Sequence, residues 1–226
     1  MSRKHQHQHF APKTFYPKTE NQKKVYQDFK DYNLVLHGMA GTGKSFLSLY
    51  LGLHSILANK SPYEKIIIIR SAVPSRDIGF LPGSLREKIE VYEDPYKLIV
   101  NEIFGRGDAY GILKNKYQLE FLTTSYLRGC TLSDAIVIVD EFQNCTFHEL
   151  DTIITRLGDN SKIIFSGDSS QSDLEKARDR DGLHRFLRIL DDLPEFSFVE
   201  FGVKDIVRSN LVRSYLIAKD HIKNRS

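Results

Sequence analysis

Gly38-Met39-Ala40-Gly41-Thr42-Gly43-Lys44-Ser45 is a full match to the pattern G-x-x-x-x-G-K-[ST]. Glycines at 38, 41 and 43 let a backbone curl so that its N–H groups point inward, which makes a concave anion site at a helix N-terminus. Lys44 can reach the β- and γ-phosphates of a nucleotide, and the Ser45 hydroxyl can ligate Mg²⁺. An apolar strand should precede the loop, and Phe46-Leu47-Ser48-Leu49-Tyr50 opens a helix after it. Gly-rich turns also serve plain strand-to-helix packing, but packing has no need of a lysine followed by a serine. The phosphate-binding set is therefore Gly38, Met39, Ala40, Gly41, Thr42, Gly43, Lys44, Ser45 and Phe46.

A second chemical feature is Ala135-Ile136-Val137-Ile138-Val139-Asp140-Glu141, an apolar strand that ends in two acids. Paired carboxylates at the end of a buried strand are costly unless a cation or a proton is handled there. Asp140 is placed to hold Mg²⁺, directly or through water. Glu141 is the candidate to polarise an attacking water, because phosphoryl transfer rests on positioning and charge stabilisation. The alternative is that both acids only complement the dipole of the next helix. Gly167-Asp168-Ser169-Ser170-Gln171 follows another apolar run. An amide such as that of Gln171 could hydrogen-bond the γ-phosphate or the water; the same residues would also make a simple polar turn.

These groups need a scaffold that brings strand ends together. Apolar runs at Leu34–Leu36, Lys65–Ile69, Leu119–Leu122, Ala135–Val139, Lys162–Phe165 and Phe196–Phe201 are too short for helices and read as strands. Helical stretches lie between them at 44–58, 85–104, 147–157 and 182–190, with a last one at about 210–222. That alternation predicts an α/β fold: three layers, with a mostly parallel sheet and helices on both faces. A strand is expected between the loop strand and the Asp140 strand, and Lys65–Ile69 is the one taken for it. Proline and glycine at 74, 79, 82, 83 and 95 predict loops around a helix between Arg70 and Tyr117. Residues 1–20 are polar and basic and read as a flexible arm without a core of its own, and 21–226 as one domain. His5, His7 and His9 within that arm could share a metal or be a solvated tract.

Composition narrows the class. The chain has 226 residues, 41% hydrophobic and 27% charged, with 32 Lys+Arg against 29 Asp+Glu. These values suit a globular domain with a real core and do not by themselves mark a nucleic-acid binder. Two cysteines without CxxC spacing support neither a disulfide framework nor a zinc site. No apolar run is long enough for a bilayer and no signal core follows the first residues, so a cytoplasmic protein without membrane contact is expected.

Asp140-Glu141-Phe142-Gln143-Asn144 resembles the D-E-A-Q-N box of the PhoH-like ATPase family, with Phe142 in place of alanine. Other boxes of that family are matched in order. They are Asn21-Gln22, Gly79-Phe80-Leu81-Pro82-Gly83, Arg128-Gly129-Cys130-Thr131-Leu132, Thr155-Arg156-Leu157-Gly158, Gly167-Asp168-x-x-Gln171-x-Asp173-Leu174 and Asp205-Ile206-Val207-Arg208. The resemblance covers about residues 20–219 and extends to the first ATPase domain of superfamily-one helicases, of the additional-strand type with a glutamate beside the magnesium aspartate. It implies ATP and Mg²⁺ as cofactors, Gln22 as a reader of adenine, and Gln171 as a sensor of the γ-phosphate.

Hydrolysis also wants an arginine near the γ-phosphate. A two-domain helicase supplies it from its second domain; here Arg208 and then Arg156 are the candidates, acting in trans from a neighbouring subunit. That implies a closed ring, and the family is associated with hexamers. Arg70, Ser71, Arg76, Arg86 and Lys88, with Phe80, Tyr92 and Tyr96 nearby, could bind RNA or single-stranded DNA, or could equally be salt bridges and core anchors of a loop. The expected activity is a magnesium-dependent, ring-forming ATPase. An ATP-gated binding module with little turnover, or a small-substrate kinase, would use the same loop. A compact chain of this kind suits a virus, in which case the compartment is the host cytoplasm.

Overall fold

The computed structural model describes residues 10–71, 85–127, 129–168 and 177–223. Six strands form one sheet: β1 (Asn33–Gly38), β2 (Lys65–Arg70), β3 (Leu119–Thr123), β4 (Ala135–Asp140), β5 (Lys162–Ser166) and β6 (Phe196–Phe201). Their order across the sheet is β3-β2-β4-β5-β1-β6, and every neighbouring pair is parallel. The helices are α1 (Glu20–Asp28), α2 (Lys44–Ile56), α3 (Leu85–Phe104), α4 (Ala109–Asn115), α5 (Phe147–Ile154), α6 (Ala177–Asp191) and α7 (Asn210–Lys223).

The two-residue period of the strands divides the core. Ile66, Ile68, Ile136, Ile138 and Ile164 face the side covered by α1 to α4. Ile67, Ile69, Val137, Val139, Ile163 and Phe165 face the side covered by α5 and α6. All of these are buried, which explains why the strands read as unbroken apolar runs rather than alternating ones.

A strand does separate β1 from β4, but it is β5 and not Lys65–Ile69. After β1 the chain crosses on α2 over β5 and β4 and enters the sheet as β2 on the far side of β4. Sequence order does not report this skip, because a crossover helix is long enough to pass over two strands. The result is a crevice at the carboxyl ends of β1, β5 and β4, where the chain's direction of progress changes.

Residues 10–19, read from sequence as part of a flexible arm, lie on the core. Phe10 stacks on Phe104 with centroids 4.4 Å apart, and the Lys13 N–H donates to the Ile103 carbonyl. The Phe15 N–H donates to the Tyr50 hydroxyl at 3.1 Å, and the Tyr26 hydroxyl donates to the Phe15 carbonyl at 2.9 Å. A few aromatic rings bury this segment, which its overall polarity conceals. His5, His7 and His9 lie outside the described residues.

Helix α1 carries almost no apolar pattern, with only Gln22 and Val25 buried. Its signal is the N-cap, where the Thr19 side chain accepts from the Gln22 N–H. Helix α3 runs through Pro95, which the sequence counts as a breaker. Pro95 is exposed, so the carbonyl that loses its helical donor there can turn to water.

Candidate functional site

The phosphate loop joins β1 to α2 with Gly38, Gly41 and Gly43 at φ 111°, 77° and 88°. A Cβ on Gly38 would strike the backbone of Phe201 on the adjoining strand, so this position needs glycine twice over. The Lys44 ammonium donates to the carbonyls of Gly38 and Met39, both at 2.7 Å. Burial pushes its pKa down, while Asp168, Glu141 and Asp140 pull it back up. A cation held over the loop in this way is poised to exchange carbonyl partners for phosphate oxygens.

Asp140 closes β4 and meets the loop directly. The Ser45 hydroxyl lies 2.9 and 3.1 Å from the two oxygens of its carboxylate. Ser166, opposite Asp140 in the register of β5, is buried with a hydroxyl that has no hydrogen-bond partner, and it lines the same cleft. Two hydroxyls and one carboxylate are hard oxygen donors of the kind Mg²⁺ takes beside substrate phosphates. These residues therefore fit Mg²⁺. No cluster of three or more His, Cys, Asp or Glu suited to a metal occurs among the described residues.

Glu141 stands just past the strand with φ 52°, a left-handed conformation that costs a non-glycine residue energy and recurs at functional sites. The Gln143 amide donates to a Glu141 carboxylate oxygen at 2.5 Å, and its carbonyl oxygen accepts the Asp168 N–H at 3.0 Å. One side chain thus joins the acidic box to the Gly167-Asp168 turn. A Cβ on Gly167 would collide with the Gln143 amide and the Phe142 ring, so glycine permits that junction. Sequence reading gave Gln143 no role, although it sits inside the box.

The cleft has a volume of roughly 630 Å³ and is lined by Lys44, Ser45, Asp140, Glu141, Ser166 and Asp168 at one end. Phe15, Tyr16, Gln22, Tyr26 and Phe46 line it as well. Of the aromatic residues among these, Phe46 was read from sequence as part of the phosphate-binding set, whereas Phe15, Tyr16 and Tyr26 were not. Tyr16 is 80% exposed, and backbone bonds from Phe15 to two tyrosines hold this stretch in place. Gln22 reaches the cleft, but its amide is engaged. Nε2 donates to the Thr42 carbonyl and Oε1 accepts the Lys18 N–H, at 3.0 and 2.7 Å.

Arg208 also lines this cleft, on its own chain. The Val207 N–H donates to the Gly41 carbonyl at 3.0 Å and pins the segment to the loop. Asp205 anchors it from behind, accepting from Asn21 Nδ2 and the Gly202 N–H. Arg208, expected from sequence to act in trans, is thus placed by this backbone pairing beside the phosphate loop of its own chain. Arg156 lies at the opposite end of the sheet, where its carbonyl accepts the Leu132 N–H ahead of β4. It does not join the site of its own chain.

Tyr96 is buried and donates its hydroxyl to Asp140 Oδ2 at 2.9 Å, so it offers no ring face to a base. The Arg70 guanidinium lies over the Tyr92 ring, 5.5 Å from its centroid. Gln171, Arg76 and Phe80 fall outside the described residues, as do the side chains of Arg86 and Lys88. Among the described residues, no helix is long and apolar enough to cross a membrane.

Solved structures resemble the chain at low identity. The unliganded Pif1 structure from Bacteroides aligns over 93% of this chain and 48% of its own, at 16% identity and a TM-score of 0.40. The helicase domain of Hef from Pyrococcus furiosus aligns over 82% and 39%, at 11% identity and a TM-score of 0.43. Sequence relatives are nearer. A PhoH-like protein of Mycobacterium bovis is 36% identical over 208 residues, covering 88% of this chain and 56% of the relative. A PhoH-like protein of Bacillus subtilis is 36% identical over 205 residues, covering 90% and 63%. The chain thus spans a little over half the length of these curated relatives. The family model described as PhoH-like protein matches residues 14–219, which takes in the loop, the acidic box and the segment carrying Arg208, and the chain belongs to the PhoH-like protein family of P-loop NTPases.

Proposed function

We propose that this chain is a magnesium-dependent ATPase. The observation that carries the reading is the convergence of Lys44, Ser45, Asp140 and Glu141 in one cleft, with Ser45 bonded to Asp140 and Glu141 held by Gln143. When bound, Mg²⁺ would sit at Ser45 and Asp140 and neutralise charge on the β- and γ-phosphate oxygens. Lys44 and the inward N–H groups of the loop cradle those phosphates. Gln143 fixes the Glu141 carboxylate, which accepts a proton from the attacking water. Gln171 is the proposed γ-phosphate sensor. Arg208 faces the charge that develops on the leaving side, from its own chain. Gln22 and the aromatic residues near it form the base end, where Gln22 reads adenine only by giving up one of its present partners.

The chain works as a homo-oligomeric ring, a hexamer, in which Arg156 serves a neighbour's cleft rather than its own. RNA or single-stranded DNA is the proposed partner, bound along Arg70, Arg76, Arg86 and Lys88. Of these, Arg70 sits at the carboxyl end of β2. The deciding test is phosphate release from ATP by wild type and Glu141→Gln, with and without single-stranded RNA. Release that RNA stimulates and the substitution abolishes supports a nucleic-acid-driven ATPase. Release indifferent to RNA removes the nucleic-acid part. ATP binding without release in the wild type would make the protein a nucleotide-gated binding module.

A further inference from the structure

We propose that Tyr96 is a positioning residue for the magnesium site, its buried hydroxyl holding Asp140 in the orientation that accepts the cation. This rests on the magnesium-dependent reading of the cleft above. Among the described residues, Asp140 takes side-chain hydrogen bonds from Ser45 and Tyr96. The two donors differ in kind. Ser45 belongs to the phosphate loop and must turn its oxygen to the cation when nucleotide arrives. Tyr96 comes from α3, outside the loop and outside the sheet, and lies 2.9 Å from Oδ2 with its side chain 2% exposed.

A carboxylate at the end of a strand turns readily about its last torsion, since that torsion has broad wells. Fixing one oxygen from a buried phenol leaves the other directed toward Ser45 and the cleft. The ring is itself held, packed against Phe121 with centroids 5.6 Å apart. One turn earlier on α3, Tyr92 carries the Arg70 guanidinium, so a single helix links the end of β2 to the magnesium aspartate. Partners of this kind, one step removed from a metal, change affinity by roughly tenfold to a hundredfold when lost.

The test is Tyr96→Phe, which removes the hydroxyl and keeps the ring. Mn²⁺ binding is measured by electron paramagnetic resonance in the presence of a non-hydrolysable ATP analogue. Affinity for the analogue without metal and the melting temperature are measured alongside. The expected result is a Mn²⁺ affinity at least about tenfold weaker, with metal-free analogue binding and melting unchanged. Turnover should then recover at high Mg²⁺, which a merely structural role would not produce. Tyr96→Leu should show the same metal defect together with a lower melting temperature. Equal Mn²⁺ affinity in wild type and Tyr96→Phe would overturn the proposal. If wild type itself bound no Mn²⁺ with the analogue, the magnesium reading would fall, and the proposal with it.

Discussion

At the scale of single residues, the proposed function assigns Lys44 to binding and Glu141 to turnover, and the two should respond differently to substitution. Lys44→Ala removes the ammonium over the loop, and nucleotide affinity should fall roughly tenfold to a hundredfold, as for other hydrogen bonds to charged groups. Equilibrium binding of a fluorescent nucleotide checks this. Glu141→Gln keeps the shape and loses the base, so binding should persist while turnover drops by about two to four orders of magnitude. His37, one residue ahead of the loop, gives a pH signature. Burial lowers its pKa below the ordinary 6.5; Glu200 and Asp168 oppose the shift and Lys44 adds to it. The native state thus favours neutral imidazole, so the contribution of His37 to stability is full above pH 6.5. It is lost as pH falls from there through the lowered native value. Melting temperatures across that window should fall less steeply for His37→Asn than for wild type. Lys44 and Glu141 were legible because their types and spacing are themselves the chemistry; His37 was not. Gln143 and Ser166 were not, since a glutamine or a serine announces nothing until the fold gives it a partner or denies it one.

At the scale of elements, the family boxes sort by where the sheet puts them. The loop, the acidic box, the Gly167-Asp168 turn and the Val207-Arg208 segment meet at the carboxyl ends of the strands. Thr155–Gly158 and Thr131–Leu132 meet at the other end, where the Leu132 N–H bonds Arg156 and the Gly158 N–H bonds Leu132. A Cβ on Gly158 would strike Ser133 and Thr131, so that box holds the entry to β4 and not the phosphates. Asn21 belongs to a third group: its amide ties α1 to the Glu200 carbonyl and to Asp205, both at 2.8 Å. Asn21→Ala should cost about 1–2 kcal/mol in denaturant unfolding, because one of its acceptors is a buried carboxylate. Helix α1 itself was hidden from pattern reading, since a helix that buries two positions has no stripe to detect.

At the scale of the whole molecule, the question is whether one chain completes its own site. Arg208 lies in the cleft of its own chain, whereas Arg156 lies away from it and is proposed to serve a neighbour's. Mixing Lys44→Ala with Arg208→Ala subunits should therefore restore no phosphate release. Mixing Lys44→Ala with Arg156→Ala should restore part of it, provided the chains assemble. Light scattering with and without nucleotide measures that assembly, and the proposed hexamer predicts six times the chain mass.

The alternation of short apolar runs with helical stretches was enough to place all six strands and the layers, because strands buried on both faces must be apolar throughout. The loop and the acidic pair were likewise readable, because local backbone geometry and charge are encoded locally. Strand order was not, and β5 rather than β2 came to lie between the loop strand and Asp140. Nor could the sequence say that Arg208 lines the cleft of its own chain, that Phe15 packs against the core, or that the Tyr96 hydroxyl bonds Asp140. Each of those depends on a contact across 35 or more positions of chain, and the pairing of distant surfaces is settled only when the whole core is packed.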